Sequence, residues 1–343
     1  MFQILPLFDT VKARVRPPVV IVLGSPGQAA DLCASLGDHE TVCYQMDLHQ
    51  ATRLRHQLAE TGLRATVEVL PDLWDLPAKF HTAILPNPAH GERELKLDLI
   101  EQAFHVLAPR GLLLSLSEYQ ADQMLPKWHK KVFGKCSELP GNRKGSVYWS
   151  ARDGDRPRRR HQVTFRAKVA GGPAHEFISR PGVFGYGELD DGARAMLEVA
   201  EIYPGNSVLD LGCGPGANGV LAADRAGADA SITFVDSNVR AIALAEQNAA
   251  ANGLTNARFR ATPSMAGLAP ASFDVILANP PYYANSWIAQ MFIEQSKPLL
   301  KSGGRFYIVT KMLNHVAPVM AGAFPDAIFE PKRGYQVLRG DGG

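Results

Sequence analysis

The sequence predicts an α/β protein made of two similar domains, each with a mainly parallel sheet, that arose by internal duplication. PVVIVLGSPG at 18–27 aligns with SVLDLGCGPG at 207–216, and four further pairs of segments follow in the same order at offsets of 189 to 193 residues. Within each half, short apolar or β-branched runs alternate with stretches of helical period, which is typical of βαβ units. Five features in register favour duplication over chance similarity between two generic α/β domains.

The length and composition agree with two domains that bury sizeable cores. The chain has 343 residues, of which 46% are hydrophobic and 20% are charged. Such a chain is too long for one hydrophobic core and has the composition of a globular protein. We place the first domain at 1–152, a basic linker rich in Gly, Pro and Arg at 153–178, and the second domain at 179–343. One strand is predicted within the linker, at 162–169.

The second half shows the alternation of strands and helices most clearly. Its predicted strands are 207–211, 231–235, 257–260, 273–278, 304–310 and 334–339. Helices fill the intervals, and the alanine-rich segment 240–253 is the clearest of them because it ends at Asn252-Gly253, where a left-handed residue stops the helix. The last segments, AIFEP and GYQVLRG, predict a hairpin that closes the edge of the sheet.

The cysteines and the hydropathy pattern exclude several classes of protein. The four cysteines share no CxxC spacing and are too few for a disulfide framework, so we expect no metal or redox motif and a reducing compartment. The N-terminus lacks a cationic start followed by a sustained apolar run, and no segment approaches the roughly 18 apolar residues of a membrane span. We therefore expect a cytoplasmic protein without a membrane partner.

A glycine-rich loop, DLGCGPG at 210–216, follows the first strand of the second half and leads into a helix. Missing side chains let a ligand lie against backbone N–H groups at such a place. The glycines also satisfy the dinucleotide-binding spacing, with Asp236 near the expected distance for a ribose, so a nicotinamide enzyme is an alternative. Two features favour a different cofactor: the acid Asp210 that ends the strand, and the tetrapeptide NPPY at 279–282 after the fourth strand.

Together these motifs resemble those of the class I S-adenosylmethionine-dependent methyltransferases, in the branch that methylates exocyclic or amide nitrogens. The resemblance implies a Rossmann-like fold, in which Asp210 fixes the amino-acid part of the cofactor through the loop and Asp236 binds the ribose hydroxyls. A carboxylate can accept both vicinal hydroxyls at once. After the third strand, where the family usually has Asp or Asn near the adenine, this chain offers Thr262 or Ser264. The residues assigned to S-adenosylmethionine are Asp210, Gly212, Cys213, Gly214, Gly216, Asp236, Thr262 and Asn279.

The NPPY motif predicts methyl transfer to a weakly nucleophilic amine. The lone pair of an exocyclic amine is delocalised into its ring, and hydrogen-bond acceptors on the N–H groups redirect it towards the methyl carbon. The side-chain oxygen of Asn279 and the backbone carbonyl of Pro280 are such acceptors, and Pro281 stiffens the loop. Tyr282 offers a ring on which a flipped base can stack. Direct attack fits a site without an obvious His or Cys nucleophile.

The first half has lost the residues that this cofactor needs. Ile21 stands where the second half has Asp210, Leu23 replaces Gly212, Ser25 replaces Gly214 and Ala89 replaces Pro281, whereas Asp47 and Asn87-Pro88 survive as remnants. Side chains now occupy the place of the cofactor. We therefore predict a degenerate domain that no longer binds S-adenosylmethionine and serves another role, with a second ligand site as the alternative.

This arrangement is similar to the bacterial ribosomal RNA guanine-N2 methyltransferases of the 16S and 23S types, which place a degenerate domain before an active one with Asn-Pro-Pro-aromatic. The segment SRPGVFGYGELDDGARAML at 179–197 also resembles that family. The resemblance implies that Phe184 lies over the cofactor or the target base and that 188–192 lines the pocket. Taken alone, Phe184 is equally well explained as a core anchor. Tyr283 stands where the family commonly has His.

The near-neutral total charge of +2 conceals a basic segment. Residues 126–168 hold thirteen Lys or Arg against three acids, a local charge of +10 that leaves −8 elsewhere. Such a surface fits phosphate binding, with Trp128 and Phe133 as interleaved stacking residues, although a charge run is more often a solvated face. The residues assigned to the substrate are Phe184, Tyr282, Tyr283, Lys130, Lys131, Arg158, Arg159 and Arg160.

These patterns lead to one prediction with three alternatives. We expect a monomeric enzyme that transfers a methyl group from S-adenosylmethionine to N2 of a guanine in ribosomal RNA, most readily 16S, with naked RNA or a ribosomal subunit as its partner. The alternatives are methylation of adenine N6, methylation of a release-factor glutamine, and a non-catalytic RNA-binding assembly factor. The duplicated first half argues against the glutamine enzymes, which usually carry a small helical N-terminal domain.

Overall fold

The computed structural model describes residues 3–89, 91–142, 145–169, 171–280 and 287–343. The chain forms two compact units, Met1–His161 and Gln162–Gly343. Their division lies inside the segment 153–178 for which the sequence predicts a linker.

The first unit contains a seven-stranded sheet with helices between the strands. Its strands are β1 (Val19–Val22), β2 (Thr41–Gln45), β3 (Thr66–Val69), β4 (Phe80–Asn87), β5 (Leu107–Ser117), β6 (Ser137–Asn142) and β7 (Gly145–Ala151). Its helices are α1 (Leu5–Phe8), α2 (Pro26–Leu36), α3 (Leu48–Glu60), α4 (Arg93–Val106) and α5 (Leu125–Phe133), with short 3-10 helices at Lys12–Arg14 and Leu73–Asp75. The strand order is β3-β2-β1-β4-β5-β7-β6; the first five strands run parallel, and β7 is antiparallel to β5.

The second unit repeats this architecture after a two-stranded hairpin. The hairpin is β8 (Val163–Ala167) and β9 (His175–Ser179), where the sequence predicts a single strand. The sheet strands are β10 (Ser207–Leu211), β11 (Ser231–Asp236), β12 (Ala257–Ala261), β13 (Phe273–Ala278), β14 (Leu300–Thr310), β15 (Ile328–Lys332) and β16 (Tyr335–Asp341). The helices are α6 (Asp191–Val199), α7 (Ala217–Ala226), α8 (Val239–Ala251), α9 (Trp287–Ser296) and α10 (Leu313–Ala323), with a 3-10 helix at Lys297–Leu299.

The two sheets have the same topology, which confirms the predicted pair of tandem α/β domains. The order in the second unit is β12-β11-β10-β13-β14-β16-β15, which matches the first unit strand for strand. β5 and β14 also share one pattern of burial over their eleven residues, although their sequences differ at most positions. The central parallel strands are covered on both faces, which is why their residues are mostly apolar rather than alternately apolar and polar.

The first unit keeps one backbone feature of the lost cofactor loop. Leu23, at the place of Gly212, has φ of 57°, a left-handed conformation that a branched side chain rarely adopts, while Gly212 has φ of 70°. Ile21, at the place of Asp210, is fully buried. The backbone of the turn has therefore been retained after its residues changed.

The core of the first unit corrects one prediction about its basic segment. Trp128 and Phe133, predicted as stacking residues for RNA, are each only 7% exposed and pack in the core beneath α5. The lysines between them face solvent. Helix α5 is amphipathic, so its aromatic and basic residues separate onto opposite faces instead of forming one surface.

The histidine at 105 makes the stability of the first unit depend on pH. Burial, followed by the nearby Arg158 and Arg152, lowers the pKa of His105 to about 4. The unfolded chain, with a histidine pKa of about 6.5, therefore binds more protons between pH 6.5 and 4, and the free energy of unfolding falls as the pH is lowered through that range. The Nε2 atom of His105 makes no hydrogen bond with any described residue.

We expect His105→Phe to flatten this dependence because the variant has no proton to bind at that position. Denaturant unfolding at pH 7 and pH 5, followed by tryptophan fluorescence, checks this; Trp74, Trp128 and Trp149 all lie in the first unit. The variant should lose less stability than the wild type between the two pH values. An equal loss in both proteins would contradict the assignment.

Among the helices that the structure describes, none is both long enough and apolar enough to cross a membrane.

Candidate cofactor and catalytic site

The candidate site lies in the second unit, at the carboxyl ends of β10, β11 and β13. Strand β10 has β11 on one side and β13 on the other, so connections leave its carboxyl end in opposite directions. In open parallel sheets, ligands bind in the crevice at such a switch point. The glycine-rich loop 210–216 and the residues Asp236 and Asn279 meet at this edge.

The loop 210–216 has a shape that requires glycine. Gly216 has φ of 84°, and a Cβ added there would lie 3.0 Å from the backbone Cα of Ala245, which cannot move aside easily. The Gly212 amide donates to the carbonyl of Val235 at 2.8 Å, which ties the loop to the end of β11. The loop is thus held in place by backbone contacts.

Asp210 supports this loop from beneath. Its side chain is fully buried, and its carboxylate accepts hydrogen bonds from the amide of Gly219 at 2.8 Å and from Asn218 Nδ2 at 3.4 Å. Burial raises the pKa of Asp210 to about 7. Asp210 is absent from the lining of the cavity, so it acts on a ligand only through the loop and the first turn of α7.

Asp236 links the loop to the next helix. Its Oδ2 atom accepts from the amide of Gly214 at 2.9 Å, and its Oδ1 atom accepts from the amide of Asn238 at 2.9 Å. Each carboxylate oxygen can accept more than one hydrogen bond. In the first unit the corresponding Asp47 caps α3 instead, accepting from the amide of Gln50 at 2.8 Å.

A cavity of about 340 Å³, including space open to solvent, lies beside the loop. The structure brings together here several predicted site residues and the predicted segment 188–192. The lining residues are Phe184, Gly185, Glu188, Leu189, Asp190, Ala193, Gly212, Cys213, Gly214, Pro215, Ala217, Asn218 and Asn279. Burial raises the pKa of the Cys213 thiol well above its usual value, so this cysteine stays protonated and is a poor nucleophile.

Phe184 reaches the cavity because α8 anchors the segment that carries it. Asn238 Nδ2 donates to the carbonyl of Gly182 at 2.7 Å, and the fully buried Arg240 donates to the carbonyl of Pro181 at 2.5 Å. The side chain of Phe184 is 45% exposed, which does not fit a core anchor. Its place at the cavity favours contact with a ligand.

Asn279 follows β13 and faces the same cavity. It is 6% exposed, and its Nδ2 atom donates to Asp190 Oδ2 at 3.1 Å. Asp190 is a site residue that sequence reasoning did not single out. The available signal was its position as an acid directly before the amphipathic helix α6, which is typical of an N-cap.

Five other predicted site residues remain, and the structure describes two of them. Thr262 lies next to Asp236, since its amide donates to the Asp236 carbonyl at 2.9 Å, and its hydroxyl donates to the carbonyl of Ser264 at 2.8 Å. An adenine contact by Thr262 stays a prediction. Pro280 is buried, whereas Pro281, Tyr282 and Tyr283 lie outside the described residues.

The predicted phosphate-binding residues all belong to the first unit. The Arg158 guanidinium lies 5.6 Å from the ring centroid of Trp74 and donates to its carbonyl at 3.3 Å, and Arg160 is 3.5 Å from Asp72. Arg159 is exposed. Lys130 and Lys131 are exposed in the last turn of α5, where a cation is favourable, and neither forms an ion pair with a described residue.

Within the described residues, no group of three or more His, Cys, Asp or Glu side chains is arranged to hold a metal ion.

Comparisons with known proteins identify a family and several relatives. Residues 174–339 match the family model described as the methyltransferase small domain. The ribosomal RNA small subunit methyltransferase C of Pseudomonas putida is 28% identical over 275 residues, which are 77% of this chain and 80% of the relative. The uncharacterized protein YbxB of Bacillus subtilis is 32% identical over 173 residues, which are 48% of this chain and 84% of that protein.

One solved structure matches nearly the whole chain. The T. thermophilus 16S rRNA N2 G1207 methyltransferase RsmC, in complex with AdoMet and guanosine, superposes with a TM-score of 0.79 at 21% identity. The match covers 98% of this chain and 92% of that one. At this identity the likeness shows the fold, which is that of two tandem Rossmann-like domains.

Proposed function

Because the chain belongs to the methyltransferase small domain family, we propose that it transfers a methyl group from S-adenosylmethionine to the exocyclic amine, N2, of a guanine in ribosomal RNA. The single observation that carries this proposal is the cavity that joins the glycine loop to Asn279. The cofactor would lie on the side of the loop, and the amine that receives the methyl group would lie on the side of Asn279. The small subunit RNA is the preferred substrate because the P. putida relative, 80% of whose length is matched by this chain, is named a small subunit methyltransferase.

The residues at the loop fit S-adenosylmethionine. Gly212, Gly214 and Gly216 all have positive φ, and a Cβ at Gly214 would lie 3.3 Å from the carbonyl of Phe184, so side chains here would fill the cradle. Asp236 ends β11 with a carboxylate that can accept both ribose hydroxyls, and Asp210 keeps the loop in place. When bound, the cofactor supplies a methyl group on a positively charged sulfur that leaves readily.

In the proposed reaction, the protein contributes to catalysis by orienting the target amine. Asn279 Oδ1 and the carbonyl of Pro280 would each accept one N–H of the target, which directs the nitrogen lone pair towards the methyl carbon. Both residues follow β13, whose last four residues are fully buried, so the acceptors stand on a rigid element. We assign the stacking of the base to Phe184 and Tyr282, and retain Tyr283 as a substrate contact predicted from the sequence.

The basic surface of the first unit would hold the RNA backbone. We assign this role to Lys130, Lys131, Arg158, Arg159 and Arg160. The lysines give the cleaner test because Arg158 and Arg160 also pack against Trp74 and their loss would disturb that contact.

Replacing Lys130 and Lys131 together by alanine is expected to weaken RNA binding and to reduce the slope of log K against log salt by about 2, since each phosphate contact contributes roughly 0.9. Titrations of RNA at several salt concentrations measure this. Lys79→Ala is the matched control, because Lys79 is already paired with Glu40 at 2.6 Å. An unchanged slope in the double variant would rule out the role of the lysines.

The proposed reaction can be tested with purified components. The protein is incubated with radiolabelled S-adenosylmethionine and, separately, with ribosomal RNA, small subunits, DNA and release factor. Label is expected in N2-methylguanine from the RNA or the subunits. Label in adenine or in a protein glutamine would replace the proposed substrate, and failure of the cofactor to bind in calorimetry would favour a non-catalytic RNA-binding protein.

A further inference from the structure

We infer that Asp190 is a positioning residue that fixes which edge of the Asn279 amide faces the target amine. The inference rests on the proposed function, since it concerns how Asn279 presents its acceptor. It starts from one contact: Asn279 Nδ2 donates to Asp190 Oδ2 at 3.1 Å, across 89 residues of sequence.

The carboxylate oxygen of Asp190 that caps α6 decides the orientation of the amide. An ionised carboxylate only accepts hydrogen bonds, so it favours the NH₂ edge of Asn279. Turning the amide over would place Oδ1 against Asp190 Oδ2, leaving two acceptors in contact with no proton between them. Because Asn279 is almost buried, water cannot relieve that contact cheaply. The oxygen of the amide is therefore held at the edge away from Asp190.

This orientation matters for the chemistry at the site. An amide can offer a substrate either a donor or an acceptor, and the two edges have nearly the same shape. Only the acceptor edge can take an N–H from the amine and raise the reactivity of its lone pair. Asp190 thus converts an ambiguous side chain into a fixed acceptor without touching the reacting atoms.

Asp190 is itself held rigidly. The same Oδ2 atom accepts from the amide of Ala193 at 3.1 Å, so Asp190 is the N-cap of α6. Helix α6 packs on β14 and β16, and Ala195 and Met196 are fully buried in the core. The carboxylate therefore belongs to the rigid part of the second unit, although it lines the cavity.

Three substitutions separate positioning from helix capping. Asp190→Ser keeps a strong N-cap, but its hydroxyl is one atom shorter than the carboxylate and cannot cap α6 and also reach Asn279. Asp190→Asn keeps an acceptor oxygen for both bonds. Asp190→Ala loses both bonds.

We expect kcat to fall roughly 10- to 100-fold in the Ser variant, as for a misplaced catalytic group, with the KM for RNA and the Kd for S-adenosylmethionine within about twofold of wild type. The Asn variant should keep kcat within about threefold of wild type, because its side-chain oxygen can accept from Asn279 and also cap α6. If Asp190 acted only as a helix cap, the Ser and Asn variants would be equally active. The Ala variant should combine the loss of kcat with a lower melting temperature.

A second measurement does not depend on turnover. The side-chain NH₂ resonances of Asn279, assigned by their loss in Asn279→Ala, should shift in the Ser variant and stay near their wild-type positions in the Asn variant. A Ser variant with wild-type kcat and unshifted resonances, or an Asn variant as slow as the Ser variant, would overturn the inference.

These outcomes are distinct from failure of the proposed function. If the wild type methylates an amine other than guanine N2, the same series is measured on that amine, and only the substrate assignment fails. If the wild type is active and the Ser variant equals it, only the role of Asp190 fails. If the wild type methylates none of the substrates tested, the proposed function fails, and the Asn279 resonances alone decide whether Asp190 fixes the amide.

Discussion

Replacing Asn279 by alanine is expected to lower kcat by roughly 100- to 1,000-fold, the range seen when one preorganised hydrogen-bonding group is removed from a transition state. The reason is that the variant loses the side-chain acceptor for the amine while the loop 210–216 is unchanged. The Kd for S-adenosylmethionine should remain within a few-fold of wild type. Single-turnover methyl transfer and calorimetry with the cofactor measure the two quantities on the same preparation.

The duplication supplies a matched control for this variant. Asn87 stands at the same place in the first unit, where its Nδ2 atom donates to Ser117 Oγ at 3.3 Å and to Asp122 Oδ2 at 3.2 Å. Asn87→Ala removes the same atoms from a buried asparagine at the end of β4, and we expect kcat to stay close to wild type. Persistent activity in Asn279→Ala, or an equal loss in both variants, would refute the assigned role of Asn279.

Replacing Asp236 by alanine is expected to weaken S-adenosylmethionine binding by roughly 100-fold or more. A charged hydrogen bond that is lost typically costs about 1.5–3 kcal/mol, and the variant loses those to the ribose hydroxyls. It also releases the amide of Gly214, which Asp236 Oδ2 holds at 2.9 Å, so the loop loses one of its fixed points. Calorimetry with S-adenosylmethionine and its product measures the change.

Asp47→Ala is the corresponding control in the first unit. Asp47 ends β2 as Asp236 ends β11, but its side chain caps α3. We expect the variant to lose some stability, of the order of 1 kcal/mol for a cap, with the cofactor Kd unchanged. If Asp47→Ala weakened cofactor binding as much as Asp236→Ala, the first unit would have to be part of the cofactor site.

The fold could be predicted from the sequence because its signals are local and repeated. The sequence predicts the strand at 273–278 with its observed bounds, since the apolar run 275–278 that ends at Asn-Pro indicates a buried parallel strand. The helix predicted at 240–253 is observed at Val239–Ala251, and Gly253 has the expected left-handed φ of 78°. Because the two halves align, a strand or loop in one half supports the corresponding element in the other half.

The features that the sequence does not predict depend on contacts between residues far apart in the chain. Asp190 meets Asn279 only because α6 packs across the sheet, and no local pattern reveals a contact across 89 residues. The stacking role given to Trp128 and Phe133 was wrong for a related reason. Their spacing in a charge-rich segment suggested a surface, whereas the helix turns both rings into the core.

The two units show how a duplicated domain can diverge while its backbone persists. The first unit keeps the strand order, the left-handed turn at Leu23 and the acid at Asp47, but a buried Ile21 replaces the carboxylate that supports the loop. An isoleucine side chain cannot accept the hydrogen bonds that Asp210 accepts from Asn218 and Gly219 in the first turn of α7. Loss of this support agrees with the prediction that the first unit no longer binds S-adenosylmethionine.

The central claim is tested most directly by mapping methylated nucleotides in ribosomal RNA from cells with and without the protein. Nuclease digestion and mass spectrometry should find one N2-methylguanine in 16S RNA that is absent without the protein. Wild-type protein should restore it, and Asn279→Ala should not. An identical set of N2-methylguanines in both RNA preparations would contradict the account.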